Sequence, residues 1–176
     1  MSATSPPFRV LKFGGTSITG FERVEAIAGQ VRERVADHAP VIVVSAFAGV
    51  TDALIAAARA AASGQSYEEM EARISEQHLG TARELLGPDA ATEAGVDGRI
   101  DQLGLLLRGV ALLGECSPRT MDSVLAVGEG LSSAVIAAAL RARGLPAQEV
   151  DPGRWIITDD HFGEAAVDMV ATLEAV

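Results

Sequence analysis

Two short apolar runs bracket a stretch of helical periodicity near the start of the chain, and that arrangement restricts the fold more than any other feature. Residues 8–13 (Phe-Arg-Val-Leu-Lys-Phe) read as a buried strand that stops at Gly14-Gly15. Phe21, Val24, Ile27, Ala28, Val31 and Val35 then recur at helical spacing, with Glu22, Arg23, Arg32 and Glu33 on the other face. Pro40 closes the connection. Residues 41–45 (Val-Ile-Val-Val-Ser) make a second strand, apolar throughout, as a parallel strand covered on both faces must be. A strand, a helix of about 16 residues and a strand form a βαβ unit with a right-handed crossover.

The middle of the chain breaks this alternation. Helices are predicted from Asp52 to about Ser63, from Tyr67 to near Gly87-Pro88, and over 96–114, where Ile100, Leu103, Leu107, Val110 and Leu113 form one stripe. With no strand between 52 and 115, this stretch reads as a helical insertion that borders a site or joins subunits. Ser117-Pro118 fits an N-cap followed by proline at the first helical position. The helix it opens runs through Gly128-Glu129-Gly130 and stops at Gly144-Leu145-Pro146. Residues 147–150 and 155–158 read as third and fourth strands, and a last helix starts from Gly163.

Composition narrows the function. A chain of 176 residues is long enough to bury a real core as one domain spanning 1–176. Aromatic residues are only 4%, so Ala, Val, Leu and Ile must build that core. A formal charge of −10 argues against nucleic acid and anionic membranes as partners. The lone Cys116 excludes an internal disulfide and reads as a buried small apolar thiol in a reducing cytosol. Residues 1–7 show no cationic start or apolar run of a leader, and the longest apolar stretches look too short to span a bilayer. A cytoplasmic protein is expected.

Against that acidic background, Lys12 is the only lysine; the other 13 of the 14 basic residues are arginine. Lysine is a compact ammonium on a flexible stem, whereas arginine is a wide planar fork. Placed at a strand end before Gly14, Gly15, Thr16 and Ser17, it suits close approach to a phosphoryl group, with the glycine amides aimed at anionic oxygens. The order differs from the nucleotide P-loop, because the lysine precedes the glycines. Gly-Gly alone would indicate only a tight turn. Ser45 and Thr51 flank the loop after the second strand, where two hydroxyls and helix amides could hold a carboxylate. Ordinary capping accounts for that loop equally well. Two glycines around Glu129 each cost about 1 kcal/mol in a helix interior, which calls for a close approach there. Glu129 could then meet a ligand ammonium. Asp159-Asp160 before His161 reads as a turn, and the three histidines lack zinc-ligand spacing.

Taken together, residues 10–17, 41–54, 119–133 and 144–163, the last with its Arg154…Thr158-Asp159…Phe162-Gly163 pattern, resemble the aspartate kinases of the amino acid kinase family. The matches keep the family's order and span essentially the whole chain. The long helical stretch resembles the long-insert branch. Phe47 is a departure, at a position the family often fills with a smaller residue.

The resemblance implies a three-layer αβα fold with a mainly parallel sheet, truncated at the C-terminal side. It implies ATP, with Mg2+ carried on it, and L-aspartate as partners, and a homo-oligomer in the full-length parent. Lys12 would stabilise the transferring phosphoryl oxygens, with Gly14 and Gly15 beside them. Ser45 and Thr51 would lie against aspartate and the reacting phosphate, and Glu129 would hold the α-ammonium. Family catalytic domains continue further, so the chain resembles an amino-terminal part, expected to lack turnover alone and to leave its sheet edge partly uncovered. Other kinases of the fold, such as acetylglutamate or glutamate kinases, fit the Gly-Glu and Phe-Gly segments less well. A non-catalytic aspartate-binding or assembly module is the alternative from another class.

Overall fold

The structure, a computed structural model, describes residues 7–88 and 95–176. The first six residues, read above as carrying no leader, and residues 89–94 of the insertion lie outside them. Strand β1 (Phe8–Phe13) and strand β2 (Ala39–Val44) pair in parallel, with Val10 opposite Val41, Lys12 opposite Val43 and Phe13 opposite Val44. Helix α1 (Phe21–Arg34) connects them and buries Val24, Ile27, Ala28 and Val31. The βαβ reading therefore holds in its elements and its parallel pairing. Pro40 stands inside β2, at its second position, where a missing N–H is tolerated near a strand start.

Helices α2 (Val50–Ala62), α3 (Glu68–Leu86) and α4 (Val96–Leu113) follow the predicted bounds closely. Each packs on α5 (Pro118–Ala142), the 25-residue helix at the centre of the core. Its start is set locally: the Ser117 hydroxyl accepts a hydrogen bond from the Thr120 amide at 3.2 Å, and Pro118 takes the first turn. Twelve of its residues are buried, among them Val124, Leu131, Val135 and Leu140. Length and composition alone would let this helix cross a membrane, contrary to the reading of the apolar stretches as too short. The most apolar 18 residues of this helix are 67% buried inside the protein, which explains the apolar run as core.

Three expectations fail. The sheet is not covered on both faces: Leu11, Phe13, Ile42 and Val44 pack on the core, but Phe8, Val10, Val41 and Val43 are 78%, 63%, 43% and 43% exposed. Alternation has sorted the side chains, and no described helix lies over the outer face. Residues 147–150 and 155–158 form no strand among the described residues; only Thr158 makes an isolated antiparallel bridge, to Val167. A strand exists by virtue of a run of hydrogen bonds to a partner; residues 155–158 have only this short pairing with 166–168, and no ladder forms along 147–150 among the described residues. The last helix, α6 (Met169–Ala175), begins at the Asp168 cap, whose carboxylate accepts from the Val170 and Ala171 amides at 3.0 Å each. Gly163 is instead tied to α5, its amide donating to Asp122 at 2.8 Å.

Candidate active site

Parallel pairing brings the carboxyl ends of β1 and β2 side by side, so the loops leaving them must touch. They do so through Gly15. A Cβ on Gly15 would lie 2.5 Å from the Ala46 carbonyl oxygen, a distance no side chain tolerates. A Cβ on Gly14 would meet nothing within 4 Å. Of the two glycines, one is needed for contact between the loops and the other borders open space.

Thr19 fastens the two loops. Its hydroxyl donates to the Gly15 carbonyl at 2.7 Å and accepts from the Ala48 amide at 2.8 Å. The sequence reading missed this residue, because a threonine just before a helix start looks like any cap.

Helix α5 supplies the third wall. A Cβ on Gly128 would lie 3.0 Å from the Ala46 Cβ and 3.1 Å from Leu54, so glycine lets α5 approach the second loop and α2 together. A Cβ on Gly130 would lie 3.2 Å from Nε of Arg99. The close approach expected around Glu129 is real, and α5 runs through both glycines as one helix. Glu129 Oε1 accepts a long hydrogen bond from the Ala46 amide at 3.4 Å, and its other oxygen has no hydrogen-bond partner among the described residues. Ser132, one turn on and fully buried, donates to the Ser45 carbonyl at 2.6 Å with the Glu129 carbonyl 3.0 Å away. Its role was also missed; the signal was its i+3 spacing from Glu129.

The candidate residues therefore separate into two groups. Gly15, Ser45 and Glu129 are joined through the contacts above, with Gly14 beside Gly15 bordering open space. Lys12 is exposed on the outer face of the sheet, in no ion pair among the described residues, and no hydrogen bond joins it to Glu129. That corrects the reading of Lys12 as the end of a buried strand. Thr51 is exposed on the first turn of α2, with no hydrogen bond from its hydroxyl to the rest. The 154–163 segment lies against the start of α5, with Arg119 5.7 Å from the Phe162 ring centre. Asp159 closes a turn there by accepting from the His161 and Ala166 amides, as expected. Cys116 is only partly buried, and desolvation pushes its thiol pKa up, away from nucleophilic use.

A groove of about 440 Å³ runs along the free edge of β2, lined by Val35, Val41, Ile136, Leu145 and Val150 among others. It does not reach Lys12, Gly14 or Glu129, the residues that carry polar chemistry.

His78 on α3 packs beneath the second loop with 0% exposure. Burial lowers its pKa from the ordinary value near 6.5, opposed by the hydrogen bond to the Ile74 carbonyl. Between the lowered folded value and 6.5 the unfolded chain binds more protons, so stability rises with pH through that window, is lost on acidification through it, and levels off for this group below it. Denaturant unfolding should show lower stability at about pH 5.5 than at 7.5, and His78→Phe should remove most of the difference. An unchanged slope in that variant would assign the effect elsewhere.

Comparison with known proteins places the chain in a family. The sequence profile of the amino acid kinase family matches residues 7–175. The chain belongs to the amino acid kinase family. Within that family it is similar to aspartokinase 2, chloroplastic, of Arabidopsis thaliana, at 34% identity over 95% of this chain and 30% of that protein. Lysine-sensitive aspartokinase 3 of Escherichia coli is 30% identical over 94% of this chain and 35% of that protein. In structure it is similar to E. coli aspartokinase III, with a TM-score of 0.83 and 28% identity over 96% of this chain and 36% of that one. That enzyme was solved with lysine and aspartate in a T-state, and with aspartate and ADP in an R-state. The chain thus spans about a third of the length of these amino acid kinase relatives.

Proposed function

We propose that residues 1–176 form the amino-terminal, phosphate-and-aspartate part of an aspartate kinase domain, with the helical insertion at about 52–115. The reaction is ATP-dependent phosphorylation of the L-aspartate side-chain carboxylate to 4-phospho-L-aspartate, the first step toward lysine, threonine and methionine. A carboxylate oxygen forms a bond to the γ-phosphorus, the bond from phosphorus to the β–γ bridging oxygen breaks, and ADP leaves with that oxygen. One observation carries the reading: Gly15 seats the first loop on the Ala46 carbonyl while Gly14 leaves open space beside it, with the Glu129 carboxylate on the Ala46 amide.

Phosphoryl transfer asks a protein chiefly for positioning and charge stabilisation. Lys12 stabilises the transferring phosphoryl oxygens, and the Gly14 and Gly15 backbone lies beside them. Ser45 and Thr51 face aspartate and the phosphate, and the free oxygen of Glu129 holds the α-ammonium. Mg2+ arrives with ATP, and the longer protein works in the cytoplasm as a homo-oligomer. The chain by itself binds aspartate without turnover, a reading supported by the third of the relatives' length that it spans.

Titrating the isotope-labelled chain separates these roles. L-Aspartate should perturb the Ala46 and Ser45 amides, and succinate, which lacks the ammonium, should bind at least about 10-fold more weakly. Glu129→Gln should erase that preference. Equal affinity for the two dicarboxylates would remove Glu129 from the substrate site. Robust aspartate-dependent ADP release from the isolated chain would refute its inactivity.

A further inference from the structure

Among the contacts between the helical insertion and the candidate site, one is aromatic. Phe47, central in the second loop, and His78, on α3, have ring planes 7° apart and centroids separated by 4.7 Å. Both rings are buried, with 1% and 0% exposure. Stacked buried rings restrict each other's tilt and sliding more than two aliphatic side chains would.

His78 is itself fixed. Its Nδ1 lies 2.7 Å from the Ile74 carbonyl oxygen. A carbonyl only accepts, so Nδ1 carries the proton and the neutral ring is held at a set rotation on its own helix. Nε2 is then a bare lone pair, buried with no hydrogen-bond partner among the described residues. Such an atom is normally designed out of a core. Leucine would fill the space without it, but would offer no flat face. Phenylalanine would stack, but no hydrogen bond would set its rotation.

The next residue adds a second grip. Gln77 Nε2 donates to the Ala48 carbonyl at 3.3 Å. Helix α3 therefore holds two successive loop residues, Phe47 by its ring and Ala48 by its backbone. From the opposite side the same loop is held through the Ala48 amide on Thr19 and the Ala46 amide on Glu129. A shift of the Phe47 ring would carry both amides with it.

We propose that Phe47 and His78 are positioning residues, through whose stacked rings the insertion sets the 45–51 loop against the glycine loop and Glu129. The inference rests on the reading of this loop as part of the substrate site. It gives the insertion a task at the reaction centre, and it gives a reason for the large residue at position 47.

Amide hydrogen exchange on the 176-residue chain tests it, using Phe47→Leu, His78→Leu and His78→Phe with urea unfolding measured on each. In the two leucine variants the Ala46 and Ala48 amides should exchange at least about 10-fold faster, beyond any change shared by the β1–β2 ladder amides. His78→Phe, which keeps a flat ring, should restore most of the protection. Should Phe47→Leu fail to fold, the two His78 variants decide. Faster exchange at Ala46 and Ala48 that merely tracks global stability, or His78→Phe behaving like His78→Leu, would overturn the proposal. L-Aspartate titrated into the same samples reports on the site separately. Affinity should fall in the leucine variants and recover in His78→Phe. A wild-type chain that ignores aspartate would sink the functional reading while leaving the exchange result to judge the loop.

Discussion

Lys12→Arg, placed in a longer protein that carries this segment with the rest of a kinase domain, is expected to lower kcat by about 100-fold or more. The fold should be indifferent to the change. Lys12 is exposed and in no ion pair among the described residues, so no packing or charge pair is lost. Net charge is also kept. What changes is shape: a guanidinium is wider than an ammonium and spreads its charge over a plane. Beside the open space at Gly14, a point charge can follow the phosphoryl oxygens as they gain charge toward the transition state. Loss of an interaction that strengthens only there appears in kcat more than in KM. Steady-state kinetics with aspartate and ATP, alongside thermal unfolding, measure both halves of the claim. A variant with near-normal kcat would show Lys12 to be an ordinary surface charge, interchangeable with the chain's 13 arginines.

Gly14 and Gly15 should respond to alanine in opposite ways. In Gly15→Ala the new Cβ would stand 2.5 Å from the Ala46 carbonyl oxygen, and both partners are backbone, so one loop must move. Overpacking of that kind costs about 2–3 kcal/mol. For a chain of this size the melting temperature should fall by about 5–10 °C. In Gly14→Ala the methyl meets nothing within 4 Å, and the residue's φ of −80° suits alanine. Stability should be unchanged within about 0.5 kcal/mol. The methyl would nevertheless occupy the space proposed for a phosphoryl oxygen, so phosphate transfer in the longer protein should drop. Thermal melts of the two variants check the first contrast. Equal stability would mean that the loops do not meet at Gly15 as described.

Helices were legible because their determinants are local. The buried stripe of α1, the proline and serine that open α5, and the glycine that follows Leu86 are written within a few residues of where they act. The same holds for the order of Lys12, the glycine pair and the helix behind them. Strands were legible only where a partner was close in the chain. Residues 147–150 and 155–158 carry strand-forming composition, but a strand needs a run of hydrogen bonds to another segment, and among the described residues only an isolated bridge from Thr158 to Val167 forms. Coverage of the sheet was misjudged for a related reason. An all-apolar strand permits burial on both faces, but only the packing of other elements decides how many are buried.

The sequence alone determined helices α1 to α5, the parallel pair β1 and β2, the glycine loop after β1 and the carboxylate between two glycines on α5, because each follows from short-range pattern and steric allowance. Tertiary structure decided which of those residues meet. Thr19 bridging to Ala48, Ser132 bridging to Ser45, the Gly15 contact with Ala46 and the Phe47–His78 stack join residues 29, 87, 31 and 31 positions apart in the chain. No local periodicity encodes such contacts. They arise when parallel pairing aligns two strand ends and the packing of α3 and α5 closes around the loops that leave them.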